Sequence, residues 1–118
     1  MKQRTDPQRP HVAGRTLRWT FEDGPTAGKT FQHAFGADGT VRYGMDGGAS
    51  SGTARYVFAP VGDHVGVVSY LGAAGYTLTS VLDFSAGTVV AVASNESEVV
   101  LQHGRFRVAQ RVAAGPAP

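Results

Sequence analysis

The chain has 118 residues, the usual size of one domain, which leaves no room for a second independent core. It contains no cysteine, so disulfide bridges, thiolate metal sites and cysteine nucleophiles are excluded. The net charge of +2 comes from residues 1–13; the rest is neutral, with eight basic and eight acidic residues, and offers no basic surface for nucleic acid. No apolar stretch reaches membrane-spanning length and no secretion signal is recognisable, so we expect a cytoplasmic protein without membrane contact.

The two ends of the chain differ in pattern from its middle. Residues 1–13 and 111–118 contain prolines and show no hydrophobic period. We therefore predict a disordered leader over 1–13, a single folded domain over 14–110 and a disordered tail over 111–118. Sixteen glycines and six prolines, with 42% hydrophobic residues, favour short strands joined by tight turns in that domain.

The first three predicted strands alternate apolar and polar residues, so each has one face suited to burial. They span 15–22, 29–35 and 40–45. Their apolar faces are Leu17, Trp19 and Phe21 in the first strand, Phe31, His33 and Phe35 in the second, and Val41, Tyr43 and Met45 in the third. Asp38 and Gly39 predict a tight hairpin turn between the second and third strands, because these residues tolerate positive φ.

A loop rich in glycine and serine, 46–52, precedes five further predicted strands. These strands span 54–61, 64–71, 76–84, 88–95 and 97–110. We expect a bulge or bend at Gly104 in the last strand. The fifth to seventh strands are apolar on both faces, which suggests that a partner subunit covers their outer side. A homodimer is the resulting hypothesis.

Short links between consecutive strands favour an antiparallel up-and-down sheet. Closing that sheet removes its unpaired edges, and eight strands enclose an interior that holds packed side chains or one small ligand. We therefore predict an all-β fold, an eight-stranded antiparallel barrel of the lipocalin or calycin type. A two-sheet sandwich is the alternative.

Candidate functional residues lie on the strands, because no nucleotide-binding loop, zinc signature or nucleophile elbow is present. We predict no cofactor and no metal site. Inward-facing histidine and tyrosine side chains need hydrogen-bond partners, which are either core groups or a ligand. The predicted ligand-binding residues are Trp19, Phe31, His33, Tyr43, Tyr56, Ser69, Tyr70, Ser80, Ser94 and His103.

Four segments carry a resemblance to a known family. They are GPTAG at 24–28, SYL at 69–71, GYTLT at 75–79 and ASNE at 93–96. From about Gly14 to Val108 the chain resembles the MoaF-like proteins, small bacterial proteins related to molybdenum cofactor biosynthesis protein F. The resemblance implies a lipocalin-like barrel, in agreement with the strand count.

Three functions fit these observations. The favoured one is a binding protein that holds a small, partly apolar or aromatic molecule in the barrel interior. The second is a cofactor-independent decarboxylase, isomerase or cyclase, in which His33, Tyr43 and Tyr56 are catalytic; enzymes of these kinds occur among barrels of this general type. The third is a filled barrel that serves only in association with another protein.

Overall fold

The computed structural model describes residues 10–46, 48 and 51–109, which form eight β-strands. The strands are β1 (Thr16–Phe21), β2 (Thr30–Phe35), β3 (Thr40–Met45), β4 (Ser51–Pro60), β5 (Val65–Leu71), β6 (Thr77–Asp83), β7 (Thr88–Ser94) and β8 (Val99–Val108). The disorder predicted for 1–9 and 111–118 falls outside the described residues. The described part of the chain contains no helix that could span a membrane.

Each strand pairs antiparallel with the next, and β8 pairs with β1 to close the barrel. Leu17 on β1, for example, lies opposite His33 on β2 and Val108 on β8. The predicted eight-stranded up-and-down barrel is therefore confirmed, and the two-sheet sandwich is wrong. The turn predicted between β2 and β3 is also present: Gly39 has a φ of 90°, and the Asp38 carboxylate accepts the Thr40 N–H at 3.0 Å.

One half of the barrel interior is filled by hydrophobic side chains. We call this the packed half; it lies toward the turns that join β2 to β3, β4 to β5 and β6 to β7. Its core side chains, each at most 2% exposed, are Val12, Leu17, Phe35, Val41, Val68, Leu82 and Val89. Strand alternation brings them inward, and their burial supplies the main stabilisation of the domain.

Val12 is the unexpected member of that core. The sequence analysis placed it in the disordered leader, yet it is 1% exposed. The backbone beside it is held by two hydrogen bonds, from Arg15 N–H to the Val12 carbonyl at 2.9 Å and from Gly14 N–H to the Phe35 carbonyl at 2.7 Å. The predicted start at Gly14 is therefore too late, because a single apolar residue in a polar segment gives no periodic signal but can still cover a barrel end.

Two glycines in the strands permit close contacts. The predicted loop 46–52 is too long, because β4 begins at Ser51 and pairs Gly52 with Tyr43. A Cβ atom at Gly52 would lie 2.5 Å from Tyr43 Oη, so this glycine makes room for the tyrosine ring. Gly104 makes no bulge: it pairs regularly with Phe21 and Val89, and a Cβ there would collide with the β1 backbone.

Candidate functional site

The other half of the interior is open. We call it the open half; a cavity of about 390 Å³ occupies it, within the usual size range of small-molecule sites. It reaches the surface beside the loops that join β1 to β2, β3 to β4 and β5 to β6. Its described wall consists of Trp19, Phe21, Pro25, Thr26, Phe31, His33, Tyr43, Ser51, Tyr70, Gly72, Ala73, Ala74, Tyr76, Leu78, Ser80, Ala91, Val92, Ala93, Val100 and Gln102.

His33 lies at the inner end of the cavity, where the open half meets the packed half. Its ring stacks on Trp19 with the centroids 3.8 Å apart and lies 5.8 Å from the ring of Phe35. The side chain is 3% exposed, and Nε2 is 2.8 Å from the Tyr70 hydroxyl. Nδ1 is buried without a hydrogen-bond partner among the residues that the structure describes. The imidazole is thus held by aromatic contacts and one polar contact.

Burial determines the protonation of this pair. It lowers the pKa of His33 to about 3, because desolvation disfavours the imidazolium. It also raises the pKa of the Tyr70 hydroxyl, with a smaller contribution from the neighbouring Tyr43. Both side chains are therefore uncharged at neutral pH, and the inner end of the cavity carries no ionic charge.

Tyr43 connects the cavity wall to the loop between β5 and β6. Its Oη accepts the backbone N–H of Ala73 at 2.8 Å, and its ring centroid lies 5.0 Å from that of Tyr70. A phenol that accepts a hydrogen bond still has its own proton to donate. Tyr43 therefore presents a hydrogen-bond donor on the wall of the cavity.

Gln102 holds the loop between β1 and β2 against the barrel. Its Oε1 accepts the Thr26 N–H at 2.9 Å, and its Nε2 donates to Thr26 Oγ1 at 2.8 Å. Gln102 is 9% exposed, so these two hydrogen bonds satisfy its buried side-chain amide and also hold the backbone of the loop. Gln102 was not among the predicted site residues, although its alternation with Phe106 on β8 indicates an inward side chain.

Six of the ten predicted ligand-binding residues line the cavity. They are Trp19, Phe31, His33, Tyr43, Tyr70 and Ser80. All of them except Ser80 lie on β1 to β3, where apolar and polar residues alternate, or in a segment that carried the family resemblance. The structure places these six residues around one cavity. Whether they bind a ligand stays a prediction.

The other four predicted residues lie away from the cavity. Tyr56 points into the packed half, where its hydroxyl donates to the Gly36 carbonyl at 2.7 Å. Ser69 lies on the outer face, 2.8 Å from Thr79 Oγ1, because its neighbours in β5 occupy the interior. His103 also points outward and lies 2.9 Å from the Asp23 carboxylate.

Ser94 is the fourth of these residues. It ends β7, opposite Val99, on the strand face away from the inward Ala91 and Ala93. Strands β5 to β8 have apolar residues on both faces or at their ends, so alternation could not decide which side chains face inward. Ser69, Ser94 and His103, which were predicted to bind the ligand, therefore lie outside the cavity.

The wall of the cavity is electrically neutral. It is built from aromatic, aliphatic and uncharged polar residues, and none of the lining residues within the described ranges has a charged side chain. Near the mouth, the Tyr76 hydroxyl donates to the Glu98 carboxylate. Across 10–46, 48 and 51–109 the structure brings together no group of three residues that could hold a metal ion.

Comparison with known proteins places this barrel in a family. No curated protein matches the chain. A crystal structure of a Burkholderia vietnamiensis protein, described as a "putative beta-lactamase", has the same fold, with 24% identity and a TM-score of 0.71 over 86% of this chain and 98% of that chain. The sequence profile of the MoaF N-terminal domain matches residues 3–98. Because that match spans most of the chain, the chain belongs to the MoaF family.

Proposed function

We propose that this protein binds a small molecule in the open half of its barrel. The observation that carries the proposal is the cavity of about 390 Å³, enclosed by mostly apolar walls on which a few polar groups converge. Walls of that composition are typical of small-molecule sites, where apolar contacts supply affinity and single polar groups fix orientation.

The choice of side chains keeps the cavity open. Ser80 on β6, with Ala91 and Ala93 on β7, presents small side chains to the interior, whereas the packed half has Leu82 and Val89 on the same two strands. Larger residues would fill the space and add buried apolar contact. Small residues at these places support a binding role over the alternative of a filled barrel.

Acid–base catalysis through His33 is less well supported. A general base works best with a pKa near the operating pH, and burial lowers the pKa of His33 to about 3. Of the other two proposed catalytic residues, Tyr56 lies outside the cavity and its pKa is raised, chiefly by burial. The three do not converge on one point, so we favour binding over the enzyme alternative.

Fluorescence of 1-naphthylamine, a small uncharged dye whose emission shifts to shorter wavelength in apolar surroundings, tests the proposal. We expect saturable binding to the wild-type protein and loss of binding in Ala91→Leu, whose side chain would occupy the cavity. Ala59→Leu is the matched control, because the same substitution then lies exposed on the outer face of β4. Absence of dye binding, or binding that Ala91→Leu leaves unchanged, would contradict the proposal.

We also propose that two copies of the chain associate through the outer face of β5 to β7. Val67, Val81 and Val90 lie side by side there in register, and Leu101 nearby is 53% exposed. An apolar patch of this kind is complementary to itself across a two-fold axis. Light scattering should show a dimer for the wild type and a monomer for Val81→Lys; a wild-type monomer at micromolar concentration would refute this assembly.

A further inference from the structure

The lining of the cavity restricts the charge of its ligand. Among the described lining residues there is no arginine, lysine, aspartate or glutamate that could pair with an ionic group. The lining histidine, His33, is buried against Trp19. Transfer of an unpaired carboxylate or ammonium group into such surroundings is strongly unfavourable.

The shape of the cavity restricts the ligand further. Aromatic rings from β1, β2, β3 and β5 form one wall, including the stacked pair Trp19 and His33. Ser80, Ala91 and Ala93 form the wall from β6 and β7, across the barrel from β2. The volume of about 390 Å³ equals that of roughly 13 water molecules at about 30 Å³ each, so it suits a molecule of about a dozen non-hydrogen atoms. A planar ring system would stack on the aromatic wall.

The polar groups of the wall favour a ligand that accepts hydrogen bonds. Tyr43 Oη accepts the Ala73 N–H and still has its own proton to donate. The Ser80 hydroxyl, on the opposite wall, takes part in none of the side-chain hydrogen bonds found within the described residues. A carbonyl or amide oxygen between these walls would accept a hydrogen bond from the Tyr43 or the Ser80 hydroxyl.

We infer, on the basis of the proposed function, that the ligand is an uncharged planar molecule, aromatic or conjugated, whose hydrogen-bond-accepting oxygen meets Tyr43. The inference names the chemical class of the ligand: a neutral aromatic ketone, amide or quinone-like compound is accepted, and the corresponding carboxylate is rejected. Discrimination rests on desolvation, because an anion would lose its hydration without gaining a countercharge.

Two probes of equal size and ring structure test the inference by calorimetry at neutral pH: naphthalene-2-carboxamide, which is neutral, and naphthalene-2-carboxylate, which is an anion. We expect the carboxamide to bind at least a hundredfold more tightly. The carboxylate probe should gain affinity when the pH falls through its own pKa, because the acid form is neutral.

Variants of two tyrosines test whether the accepting oxygen of the ligand meets Tyr43. Tyr43→Phe should weaken carboxamide binding by roughly threefold to tenfold, the effect of one neutral hydrogen bond. Tyr56→Phe is the matched control, since its hydroxyl bonds to Gly36 in the packed half and should leave binding unchanged. Equal loss in both variants, or none in Tyr43→Phe, would overturn the assignment of the acceptor.

The outcomes separate this inference from the proposed function. If the carboxylate binds as tightly as the carboxamide and Ala91→Leu abolishes both, the interior site stands and the neutral-ligand inference is overturned. If neither probe binds, or Ala91→Leu leaves binding intact, the interior site and the inference are both overturned. Selective binding of the carboxamide that Ala91→Leu abolishes and Tyr43→Phe weakens supports both.

Discussion

The packed half and the open half of this barrel are built from the same eight strands but differ in the size of the side chains that β6 and β7 turn inward. On β6 and β7, Leu82 and Val89 are at most 1% exposed in the packed half, whereas Ser80 and Ala91 line the cavity in the open half. The closely packed core therefore lies at one end of the barrel, and the proposed binding site lies at the other. Small side chains on β6 and β7 leave space in the open half, while the packed half keeps a continuous hydrophobic core.

His33 belongs to both halves, since it lies between Trp19 at the cavity and Phe35 in the core. A residue at this boundary is restrained by the core and still reaches the site. Substitutions in the packed half and in the open half should therefore differ in their effects on stability and on dye affinity. This difference can be tested from the packed half toward the open half.

Leu17→Ala should have the largest effect on stability. Leu17 is fully buried in the packed half, so its truncation removes apolar contacts and leaves a void. We expect the free energy of unfolding to fall by about 2–5 kcal/mol in urea denaturation, with dye affinity unchanged in the folded protein. A loss of affinity comparable to the loss of stability would show that the two halves are not separable.

Acidification should destabilise the protein through His33. The unfolded side chain has the ordinary pKa of 6.5 and the folded one a pKa of about 3, so between these values the unfolded state binds the extra proton. The contribution of His33 to the free energy of unfolding is therefore fully present above pH 6.5. It is lost as the pH decreases toward 3, by roughly 1.4 kcal/mol per pH unit at most.

His33→Phe isolates that contribution. The variant should fold, because an aromatic ring replaces an imidazole whose Nδ1 has no hydrogen-bond partner within the described part of the chain, and its stability should depend less on pH than that of the wild type. Urea denaturation of both proteins at pH 7 and at pH 4.5 measures the difference. Identical pH dependence in the two proteins would show that other groups cause the acid sensitivity.

Gln102→Leu should have an intermediate effect at the rim of the open half. It removes the acceptor of the Thr26 N–H, which costs about 1–3 kcal/mol if the amide stays buried. We expect faster hydrogen exchange at the Thr26 amide and a lower melting temperature. Thr26→Val serves as the control for exchange, because it removes the acceptor of Gln102 Nε2 but keeps the backbone bond; exchange at residue 26 as fast as in Gln102→Leu would refute the role of Gln102 Oε1.

Ala91→Leu should have the smallest effect on stability and the opposite sign. Its larger side chain would bury apolar surface in the open half, so we expect a gain of about 0.5–2 kcal/mol, as cavity-filling substitutions commonly give. Thermal unfolding of this variant beside Ala59→Leu measures the difference. Destabilisation by Ala91→Leu would show that the open half cannot accept more volume.

The orientation of the first strands was predictable from the sequence alone. Alternation in β1 to β3 identified Trp19, His33 and Tyr43 as inward residues, because each lies between apolar neighbours two positions away on a strand with a polar opposite face. Ser69 and His103 were misplaced for the converse reason. Their strands carry apolar side chains outside as well as inside, so the sequence pattern is the same in either orientation.

The sequence by itself determined the eight strands and their antiparallel order, since these depend on local alternation, turn residues and short links, and it favoured a closed barrel over a two-sheet sandwich. The tertiary structure alone decided which half is open and which groups meet there. His33 bonds to Tyr70 across 37 positions of the chain, and Thr26 bonds to Gln102 across 76. Such pairs, and the empty space between the Trp19 wall and Ala91, depend on the strand register and on side-chain sizes across the barrel, which no local pattern records.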